Sequence, residues 1–335
     1  VGVEVADHEN SLLGANRFLD ESGRLVESAR EATTLLDAYL GTADGVVPTP
    51  TSTLVTGYDF LTDAADAVHA ELVAGTLGAR NDRLVTAADV SPEDPRSWNA
   101  DDLRRELLDE GEDLVFLAGH FSANSALAAD YETIALATEL AASSVDLENA
   151  IVFSAGCHSG YNIVDEERVP GITEPVDWTQ AFARRGATLV AGTGYQYGDT
   201  DFVEYGERLY ADFARELRRG TGPVAVGDAL VRAKRAYLAD TPDVRGLHRK
   251  TVLISTLFGL PNLRVDLPGE RLAPETPTTT PAPVPVETAP GSVLDLHVAP
   301  LTVDLPGSLT ERIATLDALD PLLEEDDLPI AVPQR

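Results

Sequence analysis

The stretch AIVFSAGCHSGYN, residues 150–162, is a short apolar run that ends in a turn of small residues around Cys157, the only cysteine in the chain. A second run of the same kind, DLVFLAGHFSAN at 113–124, ends at His120. Each run is typical of a buried strand followed by a tight turn that exposes one side chain. Two such strands lying parallel and side by side would bring a thiol and an imidazole to one sheet edge. That pair is what a cysteine nucleophile requires.

Strand-like and helix-like segments alternate along the middle of the chain, which is the pattern of an α/β domain with a mainly parallel sheet. The predicted strands are almost continuously apolar, so helices are expected to cover both faces of the sheet. The predicted strands are residues 52–57, 82–87, 113–119, 150–156, 187–194 and 251–259. The predicted helices are residues 23–40, 60–75, 100–109, 130–144, 177–185, 202–219 and 224–239.

Changes in composition divide the chain into four segments. Residues 1–50 are expected to contribute a helix that packs on the main α/β domain, which spans residues 51–268. Residues 269–291 are rich in Pro and Thr and predict an extended linker. The remaining residues, 292–335, are too few for a domain and are interpreted as a tail or the remnant of a further module.

The chain is strongly acidic, with 56 Asp and Glu residues against 25 Lys and Arg and a net charge of −31. Such a surface repels phosphate backbones, so nucleic acid is not expected as a partner. A heavily hydrated, salt-tolerant surface in a saline or extracellular setting accounts for the charge. No apolar run approaches the roughly 18 residues of a membrane span. Only two of the basic residues are lysines, Lys234 and Lys250.

Cys157 and His120 are the candidate catalytic pair. A lone cysteine after a strand is often a small core residue, but Gly156 and Gly160 permit a tight turn at the carboxyl end of a strand, where α/β sheets place their sites. His158 also follows a strand, but neighbouring side chains diverge, so His120 is the expected base. The backbone N–H groups of Cys157 and Phe121 are the expected oxyanion hole.

These motifs resemble the caspase-like clan of cysteine peptidases, and most of all the gingipain-type peptidases. A strand ending in Gly-His is followed about 35 residues later by a strand ending in a small-residue Cys turn. The likeness extends over about residues 20–267. Four further segments carry it in order: GRLVESAREA at 23–32, LVTGYDFLTDAADAV at 54–68, PVAVGDALVRAKRAYL at 223–238 and STLFGLPNLRV at 255–265.

The resemblance implies a caspase-like three-layer α/β/α sandwich and a cysteine endopeptidase, a thiol protease that hydrolyses peptide bonds through a thioester acyl-enzyme. Protein or peptide substrates and an extracellular or cell-surface location are expected with it. No metal takes part in that chemistry, although a structural calcium ion is compatible with the family. The chain departs from the family at Phe121, where Gly is usual, and at Leu260, where the closing motif usually has Asp.

The resemblance also indicates where the primary substrate pocket lies. Its walls are expected from the loop after the first strand, from the residues two before each catalytic residue, and from the loop after the strand that follows Cys157. The residues at these positions are Tyr58, Asp59, Ala118, Ala155, Tyr195, Tyr197 and Asp199. Two small alanines, two tyrosines and an acidic anchor favour cleavage after Arg or Lys. Asp59 is the expected anchor, with Asp199 or Asp201 as its rival, unless these residues are only helix caps.

Two other functions remain open at this stage. The chain could keep the peptidase fold without catalytic activity and act as a binding or scaffold module, and Phe121 favours that interpretation. An acyl transferase, or transpeptidase, would use the same pair of residues with an amine in place of water as the acceptor.

Overall fold

The computed structural model describes residues 23–24, 27–162 and 176–274, with Gly23 and Arg24 described for their backbone alone. These residues belong to the first of two units, Val1–Glu275; the second unit, Thr276–Arg335, lies outside the described residues. The predicted tail and residues 275–291 of the predicted linker therefore fall outside them as well.

Eleven strands are present in the described residues, seven of them in one central sheet. They are β1 (Gly23–Arg24), β2 (Ser52–Gly57), β3 (Arg80–Val85), β4 (Leu114–Leu117), β5 (Ser125–Leu127), β6 (Ile134–Leu136), β7 (Ile151–Ser154), β8 (Thr188–Gly192), β9 (Val224–Ala225), β10 (Ser255–Phe258) and β11 (Arg264–Val265). The central sheet has the order β1-β10-β8-β7-β4-β2-β3, and every neighbouring pair is parallel except β10 with β8. The strands β5 and β6, and β9 and β11, form two small antiparallel pairs.

Eight α-helices surround the sheet in the described part of the chain. They are α1 (Ala29–Gly41), α2 (Thr62–Gly75), α3 (Ala100–Arg104), α4 (Ala137–Ala142), α5 (Trp178–Arg184), α6 (Tyr205–Glu216), α7 (Val226–Ala239) and α8 (Gly246–Ile254). A 3₁₀ turn at Asp59–Leu61 precedes α2, and a π-helical segment at Arg105–Glu110 continues α3. None of these described helices combines the length and the apolar composition that crossing a bilayer requires.

Two hydrophobic cores lie on opposite faces of the sheet, because successive side chains of a strand point to opposite sides. On β4, Phe116 joins the core formed with α2, α6 and α7, whereas Val115 and Leu117 join the core formed with α1, α3, α4 and α5. All four residues of β4 are at most 1% exposed. The α/β/α sandwich expected from the sequence is therefore confirmed.

Local sequence signals account for the start of α1 and α5. Ser28 and Glu31 form a capping box at α1, and Asp177 and Gln180 form another at α5. The buried Glu31 carboxylate also accepts a hydrogen bond from Arg184 Nε at 2.8 Å, which joins the two helices. The helix of the N-terminal segment, predicted over residues 23–40, thus begins at Ala29 and contacts α5.

Three predicted boundaries differ from the structure. Residues 251–259 were expected as one strand, but Thr251–Ile254 end α8, since a short apolar run does not by itself distinguish a helix from a strand. Residues 130–144 were expected as one helix, but the carboxylate of Asp130 caps a turn at Glu132 and Thr133 and starts the β6 strand. Residues 269–274, expected as linker, are hydrogen-bonded to the main unit through Gly269 and Leu272.

Phe153 provides a test of the core. Its ring lies 5.0 Å from the ring of Phe116 and 5.2 Å from that of Phe213 between β7 and α6, and the residue is fully buried. We expect Phe153→Ala to lower the free energy of unfolding by about 3–5 kcal/mol, because a buried cavity replaces the ring. Chemical denaturation measures this loss. Leu40→Ala, at a position 74% exposed, is the control and should change the free energy by less than about 0.5 kcal/mol.

Candidate functional site

The parallel register of β4 and β7 sets His120 and Cys157 at the same level of the sheet. Leu117 pairs with Ser154, and each candidate residue follows three positions later. The backbone N–H of Ala155 donates to the carbonyl of Leu117 at 3.0 Å, so the pairing continues beyond the strands. The two strand ends are therefore adjacent at the carboxyl edge, as the sequence indicates.

Small residues hold the turn around Cys157 in place. The hydroxyl of Ser154 donates to Leu117 O at 3.0 Å and accepts from Gly156 N at 3.0 Å. A Cβ at Gly156 would come within 2.4 Å of the Phe121 ring, so this position admits only glycine without a rearrangement. His158 has a φ of 57°, a left-handed conformation that is uncommon for a residue with a side chain.

The thiol of Cys157 is half-buried and donates to the backbone carbonyl of Gln196, with an S···O distance of 3.6 Å. Burial raises the pKa of this thiol, while the positive charge of Lys250 acts in the opposite direction. The side chain of Gln196 is buried and donates to Tyr210 Oη at 2.8 Å, which fixes the carbonyl that receives the thiol. The resting thiol is thus protonated, and a base is needed to activate it.

His120 is positioned by its own backbone and by surrounding aromatic rings. Its N–H donates to Tyr58 Oη at 2.9 Å, and Tyr58 Oη donates in turn to Leu127 O at 2.6 Å. The rings of Tyr58, Phe60 and Tyr131 lie 5.5, 6.0 and 5.8 Å from the imidazole in edge-on arrangements. The His120 side chain nevertheless remains 41% exposed, so the imidazole is open to a substrate.

Asp59 faces this imidazole. Its Oδ2 atom lies 3.5 Å from His120 Nε2 and accepts a hydrogen bond from Tyr131 Oη at 2.8 Å. Tyr131 Oη is also 3.4 Å from Nε2, and burial together with the bond to Asp59 raises the pKa of the phenol. Asp59 and Tyr131 both have a φ of 57°. Non-glycine residues in this conformation cost energy, which is commonly retained where a functional arrangement depends on it.

The predicted pocket residues near the strand ends are placed differently from the expectation. Tyr58, Ala118 and Ala155 are 1%, 0% and 4% exposed, so they belong to the core and offer no accessible wall. The reason is that both alanines still lie within the hydrogen-bonded part of the sheet, under the helices. Asp59 faces His120, and the N-cap positions of the 3₁₀ turn and of α2 are Tyr58 and Leu61, so Asp59 is not the helix cap. The carboxylate of Asp199 accepts from the N–H of Asp201 at 2.9 Å within its own loop.

Tyr195 and Tyr197 flank Gln196 on the loop after β8, and both tyrosines contact the ammonium of Lys250. The Nζ atom lies 5.5 Å from the Tyr195 ring centre, 4.8 Å from the Tyr197 ring centre and 3.1 Å from Tyr197 Oη. A guanidinium of a substrate was expected to stack on these rings. The chain's own lysine occupies that position.

Phe121 and His158 complete the surroundings of the thiol. The Phe121 ring packs on Gly156 and lies 5.8 Å from the Trp178 ring. The His158 ring lies 4.3 Å from the Tyr195 ring, and burial, together with the charge of Lys250, lowers its pKa. His158 is therefore neutral near pH 7 and held in an aromatic contact away from His120.

Three residues that contact the candidate site were not predicted from the sequence: Tyr131, Gln196 and Lys250. Tyr131 lies in the turn between β5 and β6, where no strand end marks it. Gln196 acts through its backbone carbonyl, which any residue would supply. The sequence feature that could have drawn attention to Lys250 is its rarity, because it is one of only two lysines in the chain.

One group of carboxylates in the described residues has a spacing that suits a metal ion. One ligand atom from each of Asp82, Glu106 and Glu112 lies within 4.8 Å of the others. The guanidinium of Arg80 lies 2.8 Å from Asp82 and 2.5 Å from Glu112 and supplies positive charge there. Burial raises the pKa of Glu112 to about 7. The guanidinium of Arg80 thus already places a positive charge beside these carboxylates, and a structural calcium ion stays a prediction.

No family model matches the chain, and no curated protein is similar to it at the sequence level. A crystal structure of the Arg-specific cysteine proteinase gingipain R (RgpB) matches with a TM-score of 0.50 at 14% identity, covering 73% of this chain and 55% of that one. The complex of Porphyromonas gingivalis RgpB pro- and mature domains matches with a TM-score of 0.53 at 14% identity, covering 78% of this chain and 60% of that one.

The chain thus spans a little over half the length of these two proteins. At this level of identity the likeness concerns the fold. The described part of the chain therefore has the caspase-like α/β fold of the gingipain-type cysteine peptidases.

Proposed function

We propose that the chain is a cysteine endopeptidase in which Cys157 is the nucleophile and His120 is the general base. The observation that carries this proposal is the common register of the two strand ends, with the Asp59 carboxylate 3.5 Å behind the imidazole. Nucleophile, base and orienting group are the three parts of the catalytic arrangement found in unrelated thiol and serine hydrolases. Protein or peptide substrates follow from this activity.

The proposed mechanism starts from the protonated thiol. Because Nε2 of His120 faces Asp59, we assign Nδ1 as the atom that takes the proton from Cys157 Sγ. The thiolate attacks the carbonyl carbon of the substrate, and His120 returns the proton to the leaving amine as the C–N bond breaks. Water, deprotonated by His120, then attacks the thioester and releases the acid and the free thiol.

We assign the backbone N–H groups of Cys157 and Phe121 to the oxyanion hole, because both follow the paired strand ends directly. Sγ and Nδ1 are not hydrogen-bonded to each other in the described residues, since the thiol donates to Gln196 O. Catalytic hydrogen bonds are often formed only when the substrate is bound. A substrate carbonyl that enters the site would release the thiol from Gln196 and let it turn to the base.

Two alternatives use the same fold. A binding or scaffold module without turnover is favoured by Phe121, whose ring fills the space beside Gly156. An acyl transferase is compatible with the same pair of residues, because the acceptor is chosen by the shape of the site. An extracellular or cell-surface location accords with the acidic composition and is part of the same proposal.

Cleavage after Arg or Lys is the specificity that the sequence predicts for this peptidase. It requires an accessible carboxylate that faces the substrate's cation. Asp59 faces His120, the carboxylate of Asp199 is bonded within its loop, and Lys250 lies on the two tyrosines. The preference for basic residues remains a prediction, to be measured in the same assays as the activity.

Cys157→Ala and Cys157→Ser are expected to abolish hydrolysis, with a loss of at least about a thousandfold, because each removes the nucleophile. A fluorogenic peptide library measures the activity. An acyloxymethyl ketone probe, followed by mass spectrometry, locates the modified residue, and product analysis with an added amine detects acyl transfer. Unchanged turnover in Cys157→Ala would refute the assignment, and a wild type that neither reacts nor cleaves would favour the scaffold.

His120→Ala should lose activity to a similar extent, because the base and the proton donor are removed together. His158→Ala is the matched control, since His158 is adjacent to the same cysteine but contacts Tyr195. We expect it to retain most of the activity. Steady-state kinetics of the two variants measure the difference, and the reverse order would show that the base was misassigned.

Asp59→Asn should lower kcat by at least about tenfold with little effect on KM, because the amide cannot stabilise the protonated imidazole as a carboxylate does. Asp199→Asn, in the loop after β8, serves as the control and should leave kcat unchanged. If Asp59→Asn altered substrate preference and left kcat intact, Asp59 would belong to the pocket, as the sequence predicted.

A further inference from the structure

Lys250 is the unexplained charge of the site. Its ammonium contacts Tyr195 and Tyr197, and no carboxylate forms an ion pair with it in the described part of the chain. The other lysine, Lys234, is buried and donates to Ser255 O at 2.8 Å, which is a structural role. In a chain with 56 acidic residues, an ammonium that faces a candidate active site without a carboxylate calls for a function.

The position of Lys250 is tied to that of the nucleophile. Tyr195 and Tyr197 are two residues apart on an extended loop and hold the ammonium together. Between them lies Gln196, whose carbonyl accepts the Cys157 thiol at 3.6 Å. The charge of Lys250 reaches the turn itself, because it favours the thiolate of Cys157 and the neutral form of His158.

We propose that Lys250 determines primary specificity and that the enzyme cleaves after acidic residues, Asp or Glu. The inference rests on the proposed peptidase function and replaces the expected preference for Arg or Lys. A carboxylate that enters beside the tyrosines meets the ammonium of Lys250 and the hydroxyl of Tyr197 as donors. A guanidinium would have to displace the ammonium from the same two rings, against charge repulsion.

The other titratable groups near the thiol have partners of their own or carry no charge near pH 7. Asp59 is paired with His120 and Tyr131, on the side of the imidazole. Asp199 accepts from the N–H of Asp201 and forms no ion pair with Lys250 in the described residues. His158 is neutral near pH 7, because burial and Lys250 lower its pKa. The Glu207 carboxylate also contacts this loop, but it is fully buried and accepts from the backbone N–H groups of Asp199 and Glu204. We therefore expect a substrate side chain to meet Lys250 on the tyrosine side.

Cleavage of C-terminally blocked fluorogenic peptides that vary only in the residue before the scissile bond tests the proposal. We expect wild-type kcat/KM to be highest for Asp or Glu. Lys250→Gln should lower the ratio of acidic to basic cleavage by at least about tenfold, and Lys250→Glu should invert it. Arg249→Gln removes the exposed neighbouring charge on the same helix and should leave the ratio unchanged. Wild-type cleavage after Arg or Lys, or an unaltered ratio in Lys250→Gln, would overturn the proposal.

A second measurement needs no turnover and separates this inference from the proposed function. The single cysteine of the chain reacts with methanethiosulfonates, in which the thiolate attacks the sulfenyl sulfur, forms a disulfide and releases methanesulfinate. The rate ratio of the anionic sulfonatoethyl to the cationic trimethylammonioethyl reagent reports the charge near Cys157. It is measured at the lowest ionic strength at which circular dichroism shows an intact fold.

We expect this ratio to fall by about tenfold in Lys250→Gln and to be unchanged in Arg249→Gln. An equal ratio in wild type and Lys250→Gln would show that Lys250 does not charge the site, whatever the enzyme cleaves. If Lys250→Gln lowered the reagent rate ratio in a protein that cleaves no peptide, the proposed peptidase function would be refuted. The site would still be one that attracts anions through Lys250. The two failures are thereby distinguished.

Discussion

The parallel pairing of β4 with β7 is the constraint on which the rest of the site depends. Leu117 opposite Ser154 fixes two strand ends at one level, and the turns that follow present His120 and Cys157 from that level. A shift of one residue would move every side chain of a strand to the other face of the sheet. If β7 shifted in this way, Phe153 would leave the core that it shares with Phe116, so the packing that stabilises the fold also enforces the spacing of the candidate catalytic pair.

The two sides of the thiol differ in charge. On one side, His120 is held by Tyr58 and faces the Asp59 carboxylate, an arrangement suited to accepting and returning a proton. On the other side, the tyrosines of the loop after β8 hold Lys250. Proton transfer and substrate selection are thus assigned to separate elements. A change of preference on the second side need not disturb the chemistry on the first.

The sequence predicted the sandwich and the strand ends well, because continuous apolar runs, glycine turns and helical periodicity are local signals. It predicted the pocket poorly, because residues two before His120 and Cys157 proved to be core residues rather than walls. Asp59 was predicted as a site residue, but its contact with His120 was not. That contact depends on the left-handed backbone of Asp59 and on Tyr131 from a distant hairpin. Lys250 was missed because no helix was predicted before residue 251, and the last four residues of α8 were assigned to a strand at 251–259.

The reversed direction of β10 has a consequence for how this fold can diversify. In a purely parallel sheet, only segments that follow a strand reach the carboxyl edge. Because β10 runs antiparallel to β8, the helix that precedes it, α8, ends at this edge, where Thr193 N donates to Ile254 O at 3.0 Å. The chain thereby gains one helix that adjoins the candidate site without belonging to the turn at His120 or the turn at Cys157. Substitutions in this helix can accumulate independently of those two turns, so a change of the surface beside the site need not change the turn that carries the cysteine.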